Sequence, residues 1–167
     1  MHEEEKAVVT RWLDLSTTSG VHTRDPDEAW SGWDLMAPDV EWVLPGKSWG
    51  ASTSGIYKGL ETIKKDLSAR MWATGDGRGG GVQGLNLEVG FDLTIHEVVA
   101  LEDGRILARA HGKGVGNNGT PYDQEYCYII TVRDGKIAHI RDYCDTVQIE
   151  TAMFDKRLVP AEELQTT

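Results

Sequence analysis

The sequence predicts one α+β domain, with helices in the first half of the chain and an antiparallel sheet in the second. In three segments before residue 73, apolar residues recur at steps of three and four, which is typical of helices with one buried face. Beyond residue 84, four segments of strand character are joined by turns that contain glycine. Because 167 residues suffice for one core, we expect a single domain over residues 1–160 and a flexible tail over residues 161–167.

The composition is that of an ordinary globular protein, with 40% hydrophobic and 26% charged residues. Lys and Arg number 17 against 27 Asp and Glu, and the net charge of −10 would repel nucleic acid. No apolar run is long enough to span a bilayer, and the first residues do not resemble a signal peptide. We therefore expect a cytoplasmic protein with neither a nucleic-acid nor a membrane partner, and with Cys127 and Cys144 as free thiols.

Three helices are expected in the first half of the chain. The first covers residues 3–19, the second runs from a cap at Asp25 until Pro38, and the third covers residues 59–72. A further short helix is expected after a cap at Asp145. The predicted buried faces of the first three helices consist of Val8, Val9, Trp12, Leu13 and Leu15; Ala29, Trp30, Trp33 and Met36; and Leu60, Ile63, Leu67 and Met71.

The strands follow the alternation of apolar and polar residues. A first strand over residues 39–45 places Val40, Trp42 and Leu44 on one face and Glu41 on the other. A meander is expected over residues 85–100, 105–115, 121–132 and 136–145. Residues 47–55 are expected to form a loop, and the glycines between Gly75 and Gly84 to form a mobile gate beside a pocket.

The turn lengths decide which side chains of the meander share a face. A three-residue loop over residues 133–135 places Asp142 opposite Tyr126, whereas a two-residue loop would place it opposite Cys127. We prefer the first, because it separates an apolar set from a charged set. Either two-residue turn within residues 117–119 places Arg109 and His111 on the face of Tyr126.

One concave face should therefore gather polar groups against apolar walls, as in a small-molecule site. A purely structural alternative exists for each polar group: Asp142 and Arg109 could form a buried ion pair, His111 could be a core histidine, and the tyrosines could serve only in packing. Taken together they favour proton transfer. The face of His96 stays open, and no histidine and carboxylate spacing predicts a metal site. The expected substrate-binding residues are Trp42, Leu44, Trp49, Tyr57, Leu67, Met71, Tyr122, Gln124, Tyr126 and Cys144.

Three motifs resemble the SnoaL-like branch of the nuclear transport factor 2-like (NTF2-like) superfamily: Ala37-Pro-Asp-Val-Glu-Trp-Val-Leu-Pro45, Gly55-Ile-Tyr-Lys-Gly59, and the segment from Asp134 to Thr146. The resemblance covers about residues 5–155. It implies a cone-shaped, curved and mostly antiparallel sheet with the N-terminal helices packed across it, one pocket, and a homodimer through the outer sheet face. Members of the superfamily include polyketide cyclases, ketosteroid isomerases, limonene-epoxide hydrolases and non-enzymatic binding domains.

The resemblance also implies roles for particular residues. Asp142 and Arg109 fall where the epoxide hydrolases keep a catalytic aspartate and its arginine, but His111 stands in place of a second aspartate. Trp42 and Leu44 stand where a tyrosine and an asparagine would hold the attacking water. We therefore predict a cyclase, isomerase or lyase without a cofactor, with Asp142, His111 and Arg109 catalytic and a hydrophobic, aromatic or polycyclic oxygenated substrate. Epoxide hydrolysis and non-catalytic binding are the alternatives.

Overall fold

The computed structural model describes residues 2–17, 31–46, 53–68, 71 and 84–160. Within these residues six strands form one sheet in the order β2-β1-β6-β5-β4-β3. All neighbouring strands are antiparallel except β1 and β6, which are parallel. The strands are β1 (Met36–Leu44), β2 (Gly55–Lys58), β3 (Asp92–Ala100), β4 (Ile106–Val115), β5 (Pro121–Arg133) and β6 (Lys136–Cys144). The predicted meander is confirmed, except that its first strand begins at Asp92 and not at residue 85. Strand β2 was not predicted; it begins at the last residue of the expected loop.

The helices cover the inner face of the sheet. Helix α1 (Glu3–Asp14) buries Val9, Trp12 and Leu13 against it. Helix α2 (Leu60–Thr62) continues as a π-helix over Ile63–Ser68, and α3 (Thr146–Gln148) continues as a π-helix over Ile149–Met153. The predicted cap is confirmed, because the side chain of Asp145 accepts a hydrogen bond from the backbone N–H of Val147 at 2.8 Å. Across the described parts of the chain, none of the helices is long and apolar enough to cross a bilayer.

The second predicted helix is wrong at its end, because Gly32–Leu35 is a 3-10 turn and Met36 already begins β1. The alternation that begins there buries Val40, Trp42 and Leu44 and leaves Glu41 on the outer face, as predicted. Four other predictions lie outside the described residues: the start of the second helix, the site residue Trp49, the glycine-rich gate and the tail over residues 161–167.

The turn between β5 and β6 has two residues, not the predicted three. Asp134 and Gly135 both have positive φ angles, 53° and 71°, as a tight two-residue hairpin turn requires. This turn alone would place Asp142 opposite Cys127. However, Val132 pairs with Ile137 and Thr131 with His139, so Ala138 is an extra residue in β6. This bulge returns Asp142 to the inner face, opposite Tyr128.

The turn between β4 and β5 has three residues, not two. The backbone N–H of Gly116 donates to the carbonyl of Thr120 at 2.8 Å, which leaves residues 117–119 as the loop. Gly119 has a φ of 82°, and the side chain of Asn118 accepts from the N–H of Thr120 at 2.9 Å. A one-residue difference in loop length exchanges the two faces of a strand. Arg109 and His111 therefore point to the outer face.

Candidate active site

Asp142 is a carboxyl group enclosed by the inner face of the sheet. Asp142 is 4% exposed, and its Oδ2 accepts a hydrogen bond from Nε1 of Trp42 at 3.3 Å. Its Oδ1 is also buried, and it has no hydrogen-bond partner among the described residues. A buried carboxyl oxygen without a partner is costly, and such groups are concentrated at sites of function.

Burial raises the pKa of Asp142 to about 7, because the interior disfavours the charged form. The hydrogen bond from Trp42 acts in the other direction, since it stabilises the carboxylate, but its effect is smaller. At neutral pH the group is therefore present both with and without its proton. A carboxyl group of this kind can act as a general acid or as a general base.

Asp142 lies between two cavities. The first encloses about 580 Å³ of empty space, including the part that is open to solvent at its mouth. The second has about 260 Å³ of empty space, again including the part that is open to solvent. Asp142, Tyr126 and Met71 line both. The first cavity is further lined by Trp12, Ser16, Trp42, Ile63, Leu67, Ser68, Leu85, Phe91, Leu93 and Tyr128, and the second by Leu44, Thr53, Tyr122, Cys144, Ile149 and Met153.

Aromatic rings form one wall of the first cavity. Trp12 of α1 meets Trp42 and Tyr128 edge-on, with ring centroids 5.6 Å apart in both pairs. Tyr128 stacks on Tyr126 at 5.4 Å with an angle of 10° between the rings. These contacts fix the rings around Asp142, so the cavity offers flat apolar surfaces to a ligand.

A chain of hydrogen bonds leads to Tyr126. The hydroxyls of Tyr122 and Tyr126 are 2.7 Å apart, and Nε2 of Gln124 donates to the Tyr122 hydroxyl at 3.4 Å. Gln124 is itself held by the backbone of Asp145: its Nε2 donates to the carbonyl and its Oε1 accepts from the N–H, both at 2.9 Å. When Gln124 donates to Tyr122 and Tyr122 donates to Tyr126, the proton of Tyr126 is available to a ligand.

Burial raises the pKa values of Tyr122, Tyr126 and Tyr128. The three hydroxyls therefore keep their protons at neutral pH and can donate hydrogen bonds. Burial also raises the pKa of the Cys144 thiol, with the negative charges of Asp142 and Asp145 adding to the effect. Since the thiolate is the reactive form, this shift in pKa disfavours Cys144 as a nucleophile.

Two predicted catalytic residues lie elsewhere. Arg109 is on the outer face, where its guanidinium is 3.9 Å from Glu97. His111 is on the same face, where it hydrogen-bonds with Asp123. The prediction that they share a face with Asp142 is wrong, and the cause is the three-residue loop between β4 and β5.

The predicted substrate-binding residues fall into two groups, those that line a cavity and those that do not. Trp42, Leu44, Leu67, Met71, Tyr122, Tyr126 and Cys144 line the cavities. Gln124 supports Tyr122 from behind, and the hydroxyl of Tyr57 donates to the carbonyl of Thr53 at 2.7 Å instead of lining a cavity. The sequence prediction missed Trp12, Tyr128 and Phe91. Tyr128 follows Tyr126 by two residues on the same strand face, so the alternation already pointed to it.

Comparison with known proteins identifies the fold. No protein-family model and no curated protein matches the sequence. Solved structures do match. A protein from Jannaschia described as a SnoaL-like polyketide cyclase has a TM-score of 0.61 and 16% identity, over 92% of this chain and 94% of that one. An NTF2-like protein from Burkholderia pseudomallei has a TM-score of 0.58 and 15% identity, over 87% and 97%.

This chain has the NTF2-like fold. The curved, mostly antiparallel sheet with helices packed on it confirms the predicted fold class. A third match is TerC, which was crystallised with polyporic acid; it has a TM-score of 0.58 and 23% identity, over 87% of this chain and 97% of that one. At such identities the similarity establishes the fold, and any reaction has to be argued from the site.

Proposed function

We propose that this NTF2-like protein is an enzyme that performs acid/base chemistry without a cofactor, as a cyclase, isomerase or lyase. Its substrate would be a hydrophobic, oxygenated small molecule with aromatic or polycyclic character. One observation carries the proposal: Asp142 lines two cavities with a buried Oδ1 that has no hydrogen-bond partner among the described residues. The pKa of Asp142, about 7, suits a group that both takes and returns a proton.

In the proposed reaction the Asp142 carboxylate removes a proton from a carbon next to a carbonyl. The electron pair of the broken C–H bond forms a C=C bond, and the π pair of the carbonyl moves to its oxygen, which gives an enolate. Tyr126 donates its hydroxyl hydrogen to that oxygen, a position where hydrogen bonds stabilise developing charge. Protonated Asp142 then returns the proton to another atom in an isomerisation, or to a leaving group in an elimination. Tyr126 supplies this hydrogen bond, and Arg109, which was predicted to be catalytic, takes no part.

The walls of the first cavity support the choice of substrate. Trp12, Trp42, Tyr126 and Tyr128 present ring faces and edges, and Asp142 and two serines are the other polar groups of the described lining. Such a site gains affinity from apolar contact and orientation from few polar groups. The presence of polyporic acid in the TerC crystals is consistent with small-molecule binding by proteins of this fold.

The two alternatives fit less well. Epoxide hydrolysis would need Arg109 beside Asp142, but Arg109 is on the outer face. A binding domain without chemistry would be expected to pair its buried polar groups, whereas Oδ1 of Asp142 has no partner among the described residues.

We also propose a homodimer through the outer sheet face, as the family resemblance implies. Apolar side chains on this face support the proposal. Tyr143 of β6 is 43% exposed and Ile56 of β2 is 62% exposed. Their burial between two subunits would be favourable.

The proposed function predicts that the protein retains a small molecule when it is purified from cells that produce it. Native mass spectrometry of wild type and Asp142→Asn should show the same class of hydrophobic, oxygenated ligand. Wild type should release this molecule in altered form. An isomer or a cyclised product would show a changed chromatographic retention time, and the product of an elimination would show a lower mass. Asp142→Asn should release the ligand unchanged. If wild type and variant both return the ligand unaltered, the protein is a binding domain and the proposal is wrong.

A further inference from the structure

A second cluster of reactive side chains lies on the opposite face of the sheet. His96 of β3, His111 of β4 and Glu125 of β5 each offer a ligand atom, and these atoms lie within 4.8 Å of one another. The two imidazoles stack with centroids 6.2 Å apart and 17° between the rings. Neither residue spacing nor strand alternation predicted this cluster, because it assembles from three strands only in the observed register.

Backbone irregularities place these side chains together. The register of β3 and β4 shifts between Ile95 and Glu97, which makes His96 an extra residue that turns to the outer face. The three-residue loop after β4 turns His111 to the same face, opposite Glu125 in the register of β4 and β5. Three adjacent strands hold these positions, the edge strand β3 and its neighbours β4 and β5, so the cluster requires no mobile loop.

We propose that His96, His111 and Glu125 bind one divalent transition-metal ion, with Zn²⁺ as the expected metal. Imidazole nitrogens with a carboxylate are ligands that zinc accepts at about 2.0–2.2 Å. Ligand atoms around a tetrahedral zinc are about 3.4 Å apart, so small side-chain rotations from the present separation close the site. Water would fill the remaining position, because the cluster faces outward.

Asp123 strengthens the assignment. Its carboxylate hydrogen-bonds with Nε2 of His111. In the proposed site the metal would bind the other nitrogen of that ring, Nδ1. A carboxylate on the second nitrogen of a ligating histidine is the usual support in metal sites, since it fixes the orientation of the ring and raises its basicity. The negative charge of Asp123, and the net charge of −10 on the chain, also attract a cation.

The expected role is to link three strands across the outer face, away from Asp142. A metal that binds the folded protein alone raises its melting temperature, by about 5–10 °C when free Zn²⁺ is 100 times Kd. The inference is independent of the proposed chemistry at Asp142, because it concerns the other face of the sheet, the face that is also proposed to form the homodimer.

The test is a titration of tag-free protein with Co²⁺, whose visible absorption reports coordination, followed by displacement with Zn²⁺. One Co²⁺ per chain is expected for wild type. His96→Ala and Glu125→Gln should weaken binding by more than about 100-fold, and Asp123→Asn by about 10- to 100-fold. The matched control is His139→Ala, which removes another half-buried outer-face histidine, 3.7 Å from Glu41, and should bind like wild type.

A second control, Cys127→Ser, changes a potential ligand two residues from Glu125 and should also leave binding intact. The proposal fails if wild type binds no Co²⁺, if His96→Ala and Glu125→Gln bind as tightly as wild type, or if either control variant abolishes binding. Circular dichroism of each variant distinguishes loss of ligands from loss of fold. A zinc-dependent rise in melting temperature that is present in wild type and absent in both ligand variants would support the site independently.

Discussion

Replacing Asp142 with asparagine is expected to lower turnover by about 100- to 10,000-fold, the usual range for loss of a general acid or base. Asparagine has nearly the same shape, and its side-chain oxygen can still accept the hydrogen bond from Trp42. It cannot take up a proton in the relevant pH range. The measurement is kcat/KM at pH 7 on the ligand that the protein retains, with KM expected to change much less than kcat.

An outer-face variant provides the matched control. Arg109→Gln removes a charged group that the sequence placed in the site and the structure places on the outer face. Its turnover should stay within about twofold of wild type, because surface substitutions of this kind have small effects. Full turnover in Asp142→Asn would refute the assignment. A loss in Arg109→Gln equal to that in Asp142→Asn would instead favour the arrangement predicted from the sequence.

The second large effect is on stability. Between pH 4 and pH 7 the folded protein keeps a proton on Asp142 that the unfolded chain has lost, because burial raises the pKa from 3.8 to about 7. Stability therefore falls as the pH rises through this window and is then constant above it. The total change attributable to Asp142 is about 4 kcal/mol, at about 1.4 kcal/mol for each unit of pKa.

Asp142→Asn removes this dependence, because asparagine does not titrate. The difference between the two free energies of unfolding, variant minus wild type, should thus increase by about 4 kcal/mol from pH 4 to pH 8. Urea unfolding at several pH values measures it, and the comparison cancels titration of all other groups that the substitution leaves unperturbed. Any constant cost of burying the amide shifts the curve without changing its slope. A difference that does not depend on pH would mean that Asp142 titrates normally.

Much of the fold could be predicted because alternation and turn residues are local signals. Val40, Trp42 and Leu44 are buried as their spacing indicates, and Asp134-Gly135 marks the hairpin between β5 and β6. The capping aspartate at residue 145 was also recognisable from its position before an apolar stripe. These features depend on a few neighbouring residues, so one sequence is enough to identify them.

The register could not be predicted so simply. The segment Asn117-Asn118-Gly119 is compatible with a loop of two or of three residues, and the difference moves Arg109 and His111 to the other face. For Asp142 two errors cancelled: the loop is one residue shorter than predicted, and the bulge at Ala138 adds one residue to β6. Bulges depend on packing across the sheet and have no strong local signal, which is also why the cluster around His96 was missed.

The central claim is that Asp142 is a buried carboxyl group with a pKa near neutrality. It is tested most directly by NMR titration of protein labelled with ¹³C at the side-chain carboxyl carbons of aspartate, with the Asp142 signal assigned by its absence in Asp142→Asn. We predict a midpoint near pH 7 for this signal. A midpoint near pH 4, the value of an ordinary exposed aspartate, would contradict the account.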